Sequence, residues 1–302
     1  ERLTEMAELT DAGCIGFSHA DVPIADTNVL LHAMEYAATF GFAVWLRPQD
    51  AFLAKDGVAH DGEVATRLGL PAIPSCAESI ALATILTLAR ETGARVHLCR
   101  LSSREGVALV RKAKAEGLPV SCDITIHHVH LSEVDIGFFD SNCHLVPPLR
   151  SQRDRDALRE ALADGTIDAL VSDHTPVSED AKTLPFAEAQ PGATGLELLL
   201  GLALKWGQES GLGLPRVLGV LTSEPARVLG GALGTLQASV GKVVEGGVAD
   251  LCIFDAQSHW TVNAGSLRSQ AKHTPFSGYE LPARVRCTIA AGNVAYEGRD
   301  RA

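Results

Sequence analysis

A chain of 302 residues with 26 Lys and Arg against 37 Asp and Glu carries a formal net charge of −11. With 46% hydrophobic and 21% charged residues it is long enough for one large domain or two ordinary ones. No basic stripe offsets the acidic balance, which argues against a nucleic-acid or anionic-membrane partner. No apolar run approaches the roughly 20 residues needed to cross a bilayer, and no charged-then-apolar leader opens the chain.

Residues 1–13 read as the end of a helix, with Leu3, Met6 and Ala7 at helical spacing and a stop at Gly13. Cys14–Ser18 reads as a short buried strand, and His19–Pro23 as a turn. Asp26 or Thr27 can cap a helix running to Phe40, with Gly41 as its stop. Phe42–Leu46 is the next apolar run, followed by a polar connection over 49–76 and a helix over 77–91 ended by Gly93. Arg95–Leu101 reads as a strand, and Ser102-Ser-Arg-Glu105 as a capping box opening a helix that ends at Gly117. Pro119–Thr125 is a further strand, followed by Ile126-His-His-Val-His130; helix signals return over 151–163. Ile167–Val171, apolar except for Asp168, is a strand that ends in Ser172-Asp173-His174. Two helical segments, about 194–210 and 214–230, lead into short glycine-punctuated strands over 241–254 and 284–296.

Strand and helix thus alternate from residue 14 to 173, the pattern of βα units and a parallel sheet, in a barrel or a doubly wound arrangement. This predicts a partial barrel domain over 1–230 and a small β subdomain over 231–302. Seven scattered cysteines (14, 76, 99, 122, 143, 252, 287) form no CxxC pair. Several lie in strand-like runs, so they read as reduced, buried cysteines of a cytoplasmic protein and not as a structural zinc site.

No phosphate-binding glycine loop follows a strand, and no GxSxG elbow is present. Cys99 and Cys122 are conceivable nucleophiles but, on strands, more naturally core residues. His127, His128 and His130 allow two readings. In an extended segment 128 and 130 share a face and could ligate a metal; otherwise they are hydrogen-bonded structural groups. Asp173 is either a catalytic carboxylate at a strand end or a helix cap. The strand ends give Ser18-His19-Ala20, Arg47, Arg100, His127 and Asp173. The two arginines and the acid would suit an anion, or form a salt-bridged polar layer above the core.

Ser121-Cys-Asp-Ile-Thr-Ile-His-His128 resembles the TPHH segment of bacterial type I dihydroorotases. His144-Leu-Val-Pro-Pro-Leu-Arg150 resembles their NPPLR motif, and Asp164–Pro176 their DGTID…ATDHAPH stretch. Pro191–Glu197, Pro225–Gly230, Ala249–Asp255 and Thr274–Gly278 extend the resemblance over essentially the whole chain. The fold it implies is a distorted (β/α)8 amidohydrolase-type barrel plus a small β-sandwich. The family's first barrel strand, with its HxH, has no counterpart before Cys14. The only HxH, His128-Val-His130, lies too far along, so the N-terminal barrel strands are expected to be absent from this chain.

Against the same resemblance, Ala20 stands where an acidic metal ligand belongs, and Arg47 and Arg100 stand where metal-binding histidines belong. Val146 replaces a substrate-contacting Asn and Val177 the second His of DHAPH. Only Asp173, the family's metal-bound general base, is unchanged. Arginine is donor-only and stays protonated, so it cannot replace an imidazole on a metal, and without a metal no hydroxide forms near neutral pH. The expectation is therefore a cytoplasmic, catalytically inactive dihydroorotase-like protein of pyrimidine biosynthesis, without metal or cofactor. It would be a homo-oligomer serving as structural partner of the aspartate carbamoyltransferase catalytic subunit. The alternatives are an active dihydroorotase or cyclic-amide hydrolase whose zinc site is completed by an N-terminal segment, and an anion sensor using the arginine pair. In the inactive reading, Arg47 and Arg100 replace the charge of the lost metal and pair with Asp173.

Overall fold

A computed structural model of the chain describes residues 3–298. Its first element is helix α1 (Met6–Asp11), and residues 1 and 2 of the helix expected over 1–13 lie outside the described residues. Strand β1 (Phe17–Ser18), helix α2 (Thr27–Phe40) and strand β2 (Ala43–Leu46) follow. Helix α2 has the predicted ends. Asp26 accepts hydrogen bonds from the Asn28 and Val29 amides at 2.9 and 3.4 Å, and Gly41 takes the left-handed φ of 70° that stops it.

The connection over 49–76 is more ordered than its polar composition suggests. It holds strand β3 (Ala59–His60), helix α3 (Glu63–Leu68) and strand β4 (Ala72–Ile73), with β3 and β4 paired in parallel. Helix α4 (Cys76–Thr92), strand β5 (Arg95–Leu98), helix α5 (Arg104–Ala115) and strand β6 (Val120–Thr125) then alternate as expected. One cap differs. Ser103, not Ser102, caps α5 by accepting from the Gly106 amide at 3.0 Å, so the Ser102–Glu105 box does not form. The carboxylate serving this corner comes from α4: buried Glu78 accepts from the amides and hydroxyls of both Ser102 and Ser103, at 2.5–3.0 Å.

Ile126–His130 is a short helix, α6, rather than an extended continuation of β6. Helix α7 (Gln152–Asp164) opens with a capping box in which Ser151 and Asp154 satisfy each other's amides, and strand β7 (Ala169–Val171) follows. Helices α8 (Leu199–Glu209), α9 (Leu214–Gly219) and α10 (Ser223–Leu229) precede strands β8 (Leu251–Thr261), β9 (Glu280–Ala290) and β10 (Asn293–Glu297). The expected boundary after residue 230 falls at a 3-10 helix over Gly230–Ala238, and no strand forms between that helix and Leu251.

Five strands make one all-parallel sheet in the order β1-β2-β5-β6-β7, so barrel neighbours are chain neighbours once β3 and β4 are set aside. Along each strand, alternate residues take opposite faces. Val44, Leu46, Val96, Leu98, Cys122 and Ile124 are buried in one core with Leu30, Met34, Leu82, Leu86, Val107 and Val110 of the surrounding helices. Full burial of one such aliphatic side chain contributes about 1.5–3 kcal/mol. The opposite face is polar: Trp45, His97 and Ser121 lie in register across β2, β5 and β6.

The second sheet is antiparallel, β10-β9-β8. Its inner end joins the same core through Leu281 and Ala283, with Phe276 of the turn before β9, where Gly201 of α8 gives the backbone room: a Cβ there would sit 3.1 Å from Leu281 and the Pro282 carbonyl. Strand β10 is exposed throughout. All seven cysteines are free, but only Cys122 and Cys143 are buried; Cys14, Cys76 and Cys252 are exposed, contrary to the expectation drawn from their apolar neighbours. No helix among the described residues is long and apolar enough to cross a membrane.

Candidate functional site

The C-terminal ends of β1, β2, β5 and β7 bring four charges together. Beyond β1 the chain makes a tight turn in which two consecutive non-glycine residues, Ala20 and Asp21, adopt left-handed φ values of 49° and 64°. Ser18 Oγ accepts from the Ala20 amide at 3.2 Å, and the Val22 amide donates to the His19 carbonyl at 3.0 Å. This turn swings the Asp21 carboxylate over the sheet end. Arg47, buried after β2, donates from Nε to Asp21 Oδ1 and from Nη2 to the Asp21 carbonyl, both at 3.0 Å, and its Nη1 donates to Gln49 Oε1.

Arg100 follows β5 with φ of 56°, a conformation held by its own amide, which donates to Asp123 Oδ1 at 2.7 Å. Its Nη1 donates to Asp173 Oδ1 at 3.1 Å and to the Val146 carbonyl at 3.4 Å, while Nη2 donates to Asp21 Oδ1. Asp173, after β7, is itself left-handed (φ 44°), with its side chain 9% exposed. Two guanidiniums therefore face two carboxylates. Arg100 bridges Asp173 and Asp21, and Arg47 pairs with Asp21 rather than with Asp173 as expected.

Burial opposes ionisation of all four groups, and the number of partners decides the outcome. At Asp21 burial is outweighed by Arg100 and by the Arg47 hydrogen bond, which hold the carboxyl below its ordinary value. Arg100, with two carboxylate partners, is held above its ordinary value despite burial. Asp173 has Arg100 as its one ion-pair partner among the described residues, and burial pushes it up in spite of Arg100 and His128. Arg47 is lowered by burial against the pull of Asp21, and His19 is lowered by burial and by Arg47.

The histidines singled out from the sequence do not converge here. His128 Nδ1 pairs with Thr125 Oγ1 at 2.8 Å and its Nε2 with the Pro148 carbonyl at 3.1 Å; His130 Nε2 pairs with the Leu202 carbonyl at 2.9 Å. His127 is fully buried, stacks on Phe276 with ring centroids 5.6 Å apart, and has neither ring nitrogen hydrogen-bonded. Because α6 is helical, 128 and 130 do not share a face as they would in a strand. Ala20 is exposed and offers no donor atom; Val146 contributes only its carbonyl, and Val177 is half-buried in the segment after Asp173.

Two features escape the sequence reading. Asp21 is one: it stands one residue past Ala20, where the resemblance would put an acidic ligand, and only the left-handed turn reveals where its carboxylate goes. The other lies on the polar face of the sheet. His97 pairs through Nε2 with Asp123 Oδ2 at 2.9 Å and through Nδ1 with Ser121 Oγ at 2.8 Å, beside Cys99. Spacing of two at 97 and 99, and at 121 and 123, was the available signal.

Neither cluster suits a metal as it stands. At the strand ends, two cationic guanidiniums and an alanine flank the single carboxylate that the resemblance assigns to a metal. His97, Cys99 and Asp123 offer donor atoms within 4.8 Å of one another. Both His97 nitrogens and both Asp123 oxygens are already hydrogen-bonded, however, and burial with the Asp123 charge pushes the Cys99 thiol up to about 12.

Comparison with known proteins places this geometry among relatives. A family model described as dihydro-orotase-like matches residues 1–106. The chain is 41% identical over 298 residues to a dihydroorotase-like protein of Pseudomonas aeruginosa, covering 99% of this chain and 69% of that protein. It is 38% identical over 297 residues to a dihydroorotase of Geobacter sp. (strain M21), covering 98% of this chain and 68% of that one. Among solved structures, L-hydantoinase (dihydropyrimidinase) from Arthrobacter aurescens is similar with a TM-score of 0.85 and 26% identity over 97% of this chain and 67% of that one. D-hydantoinase from Thermus sp. follows with a TM-score of 0.82 at 24% identity, over 97% and 67%, a likeness of fold alone. The chain thus spans about two-thirds of these relatives, and its fold is the α/β amidohydrolase-type barrel with a small antiparallel sheet.

Proposed function

The chain belongs to the dihydroorotase-like family, and from that premise we propose that it is a non-catalytic, cytoplasmic member of pyrimidine biosynthesis. In this reading it binds no catalytic metal and acts as a structural partner of the aspartate carbamoyltransferase catalytic subunit. The observation that carries the reading is the closed charge set Arg47–Asp21–Arg100–Asp173. A hydrolase of this type needs a cation to generate hydroxide and polarise the amide. Here two guanidiniums, Arg47 buried and Arg100 half-buried, supply positive charge but can neither act as a Lewis acid on water nor take a proton from it. Asp173, the residue that would act as base, is tied to Arg100 instead.

Loss of chemistry with retention of fold supports a structural role, and aspartate carbamoyltransferase is the partner that the resemblance to this family implies. The test is a dihydroorotate hydrolysis assay on the full-length protein with zinc supplied, alongside metal analysis of the same sample. Absence of bound zinc and of turnover is expected. Sedimentation of the protein mixed with purified aspartate carbamoyltransferase at micromolar concentration tests the second half, with a stoichiometric complex as the expected result. The competing reading, an active dihydroorotase, draws support from the relatives at 37–38% identity that bear that name. Turnover on the order of 1 s⁻¹ with bound zinc would establish it.

A further inference from the structure

We propose that the Arg47–Arg100 pair is a binding site for the carboxylate of a small organic acid, with Asp21 as its internal, displaceable occupant. The inference goes beyond the reading above and does not depend on whether the chain catalyses anything.

Two guanidiniums held by buried stems converge on one oxygen, Asp21 Oδ1, although the Asp21 side chain is itself 58% exposed. Buried cations normally hold buried partners, because the benefit of pairing is greatest where water is excluded. An exposed carboxylate on a buried Arg47 and a half-buried Arg100 is the arrangement of a ligand on a receptor. Paired guanidiniums are also the side chains best suited to planar carboxylate recognition.

The segment carrying Asp21 is built for release. Ala20 and Asp21 both sit in the left-handed region, where side chains other than glycine are strained, so letting go of the arginines relaxes the turn. Val22 beyond it is 69% exposed, and the turn is held by hydrogen bonds to Ser18 and His19 and from Arg47 rather than by apolar packing of Val22.

The same turn walls a cavity of about 90 Å³ lined by His19, Pro23, Leu30, Arg47, Ile80 and Ile85. By volume it takes about six water-sized atoms. Its walls are mainly apolar, with Arg47 reaching in from the charged end. Arg47 belongs both to the charge set and to the lining of this cavity, so a carboxylate held by Arg47 can place its apolar part here. The class that fits is a short, branched aliphatic carboxylic acid. Asp173 stays paired with Arg100 throughout, so the incoming charge replaces that of Asp21 and the balance is kept.

The test uses 3-methylbutanoate, its amide and acetate, titrated calorimetrically into the full chain and into Asp21→Ala and Asp21→Asn variants. The two variants remove the competing carboxylate with different side-chain shapes, so the result does not depend on one of them folding. An internal competitor lowers apparent affinity by the fraction of time the site is free. Both variants are therefore expected to bind 3-methylbutanoate about tenfold or more tighter than the unmodified chain. The amide is expected not to bind, acetate to bind more weakly than 3-methylbutanoate, and Arg47→Gln in the Asp21→Asn background to abolish binding. Equal affinity in the unmodified chain and both variants, or equal binding of acid and amide, overturns the site. Acetate binding as tightly as 3-methylbutanoate overturns the role of the cavity.

Discussion

Replacing Arg100 by Ala separates a buried ion pair into one lone carboxylate and one that still has a partner. Asp173 loses its only guanidinium, 3.1 Å away, with its side chain 9% exposed and that of Arg100 17% exposed. At that separation and an effective dielectric near 20, the Coulomb attraction is about 5 kcal/mol, and breaking one side of such a buried pair typically costs about 3–5 kcal/mol. Asp21, by contrast, keeps Arg47 at 3.0 Å and remains largely solvated, so its share of the loss is small. Asp173 can limit the damage by taking up a proton. Its carboxyl already lies above the ordinary value because burial outweighs Arg100, and removing Arg100 raises it further. A carboxyl whose folded value is raised contributes stability that is fully present below its unfolded value and is lost as pH rises through the folded one. Arg100→Ala should therefore unfold with a deficit of about 3 kcal/mol or more at pH 8 and a smaller one at pH 5. Asp173→Asn, which leaves Arg100 on Asp21, should lose less at both pH values. Urea titrations of the full-length chain give the comparison directly. A deficit below about 1 kcal/mol at both pH values, or one that grows toward pH 5, refutes the assignment of this pair as buried and charge-coupled.

Glu78→Ala withdraws the acceptor from two buried amides and two hydroxyls at the start of α5, at about 1–3 kcal/mol for each group left unsatisfied. A clear fall in thermal midpoint and faster amide exchange at Ser102 and Ser103 are expected. Burial pushes His127 down to about 3 and His128 and His130 each to about 4. Their stabilising effect is complete above the unfolded value near 6.5 and is lost as pH falls toward those folded values, by about 1.4 kcal/mol per pH unit for each histidine. His127→Phe should flatten the acid limb of a stability–pH curve by one proton's worth; an unchanged slope would show that His127 does not stay neutral in the folded protein.

What the sequence made legible depends on where the information lies. Helix α2 is written locally, in Asp26 and Gly41, and α7 in Ser151, Asp154 and Gly165, so both ends of each could be read. Strands β3 and β4 are two residues each and α3 is six, too short for any periodicity to register. The helical turn of His127–His130 is likewise invisible in five residues. At the site, the arginines and Asp173 could be found because strand ends are predictable, and Arg100 does reach Asp173. Asp21 could not, since its position depends on two left-handed residues that sequence does not announce. The His97–Asp123 pair needed the register of β5 on β6, a non-local fact.

The sharing of Asp21 between two arginines bears on how this site can change over generations. Arg47→His leaves Asp21 on Arg100 alone, while Arg100→His leaves Asp173 largely buried without its guanidinium. Each single step passes through an unbalanced charge before any ion could bind, and an acid at position 20 would add a third carboxylate to the same turn. Because each single change at 47 or 100 unbalances the set, tolerated changes at these positions would conserve charge sum rather than side-chain identity.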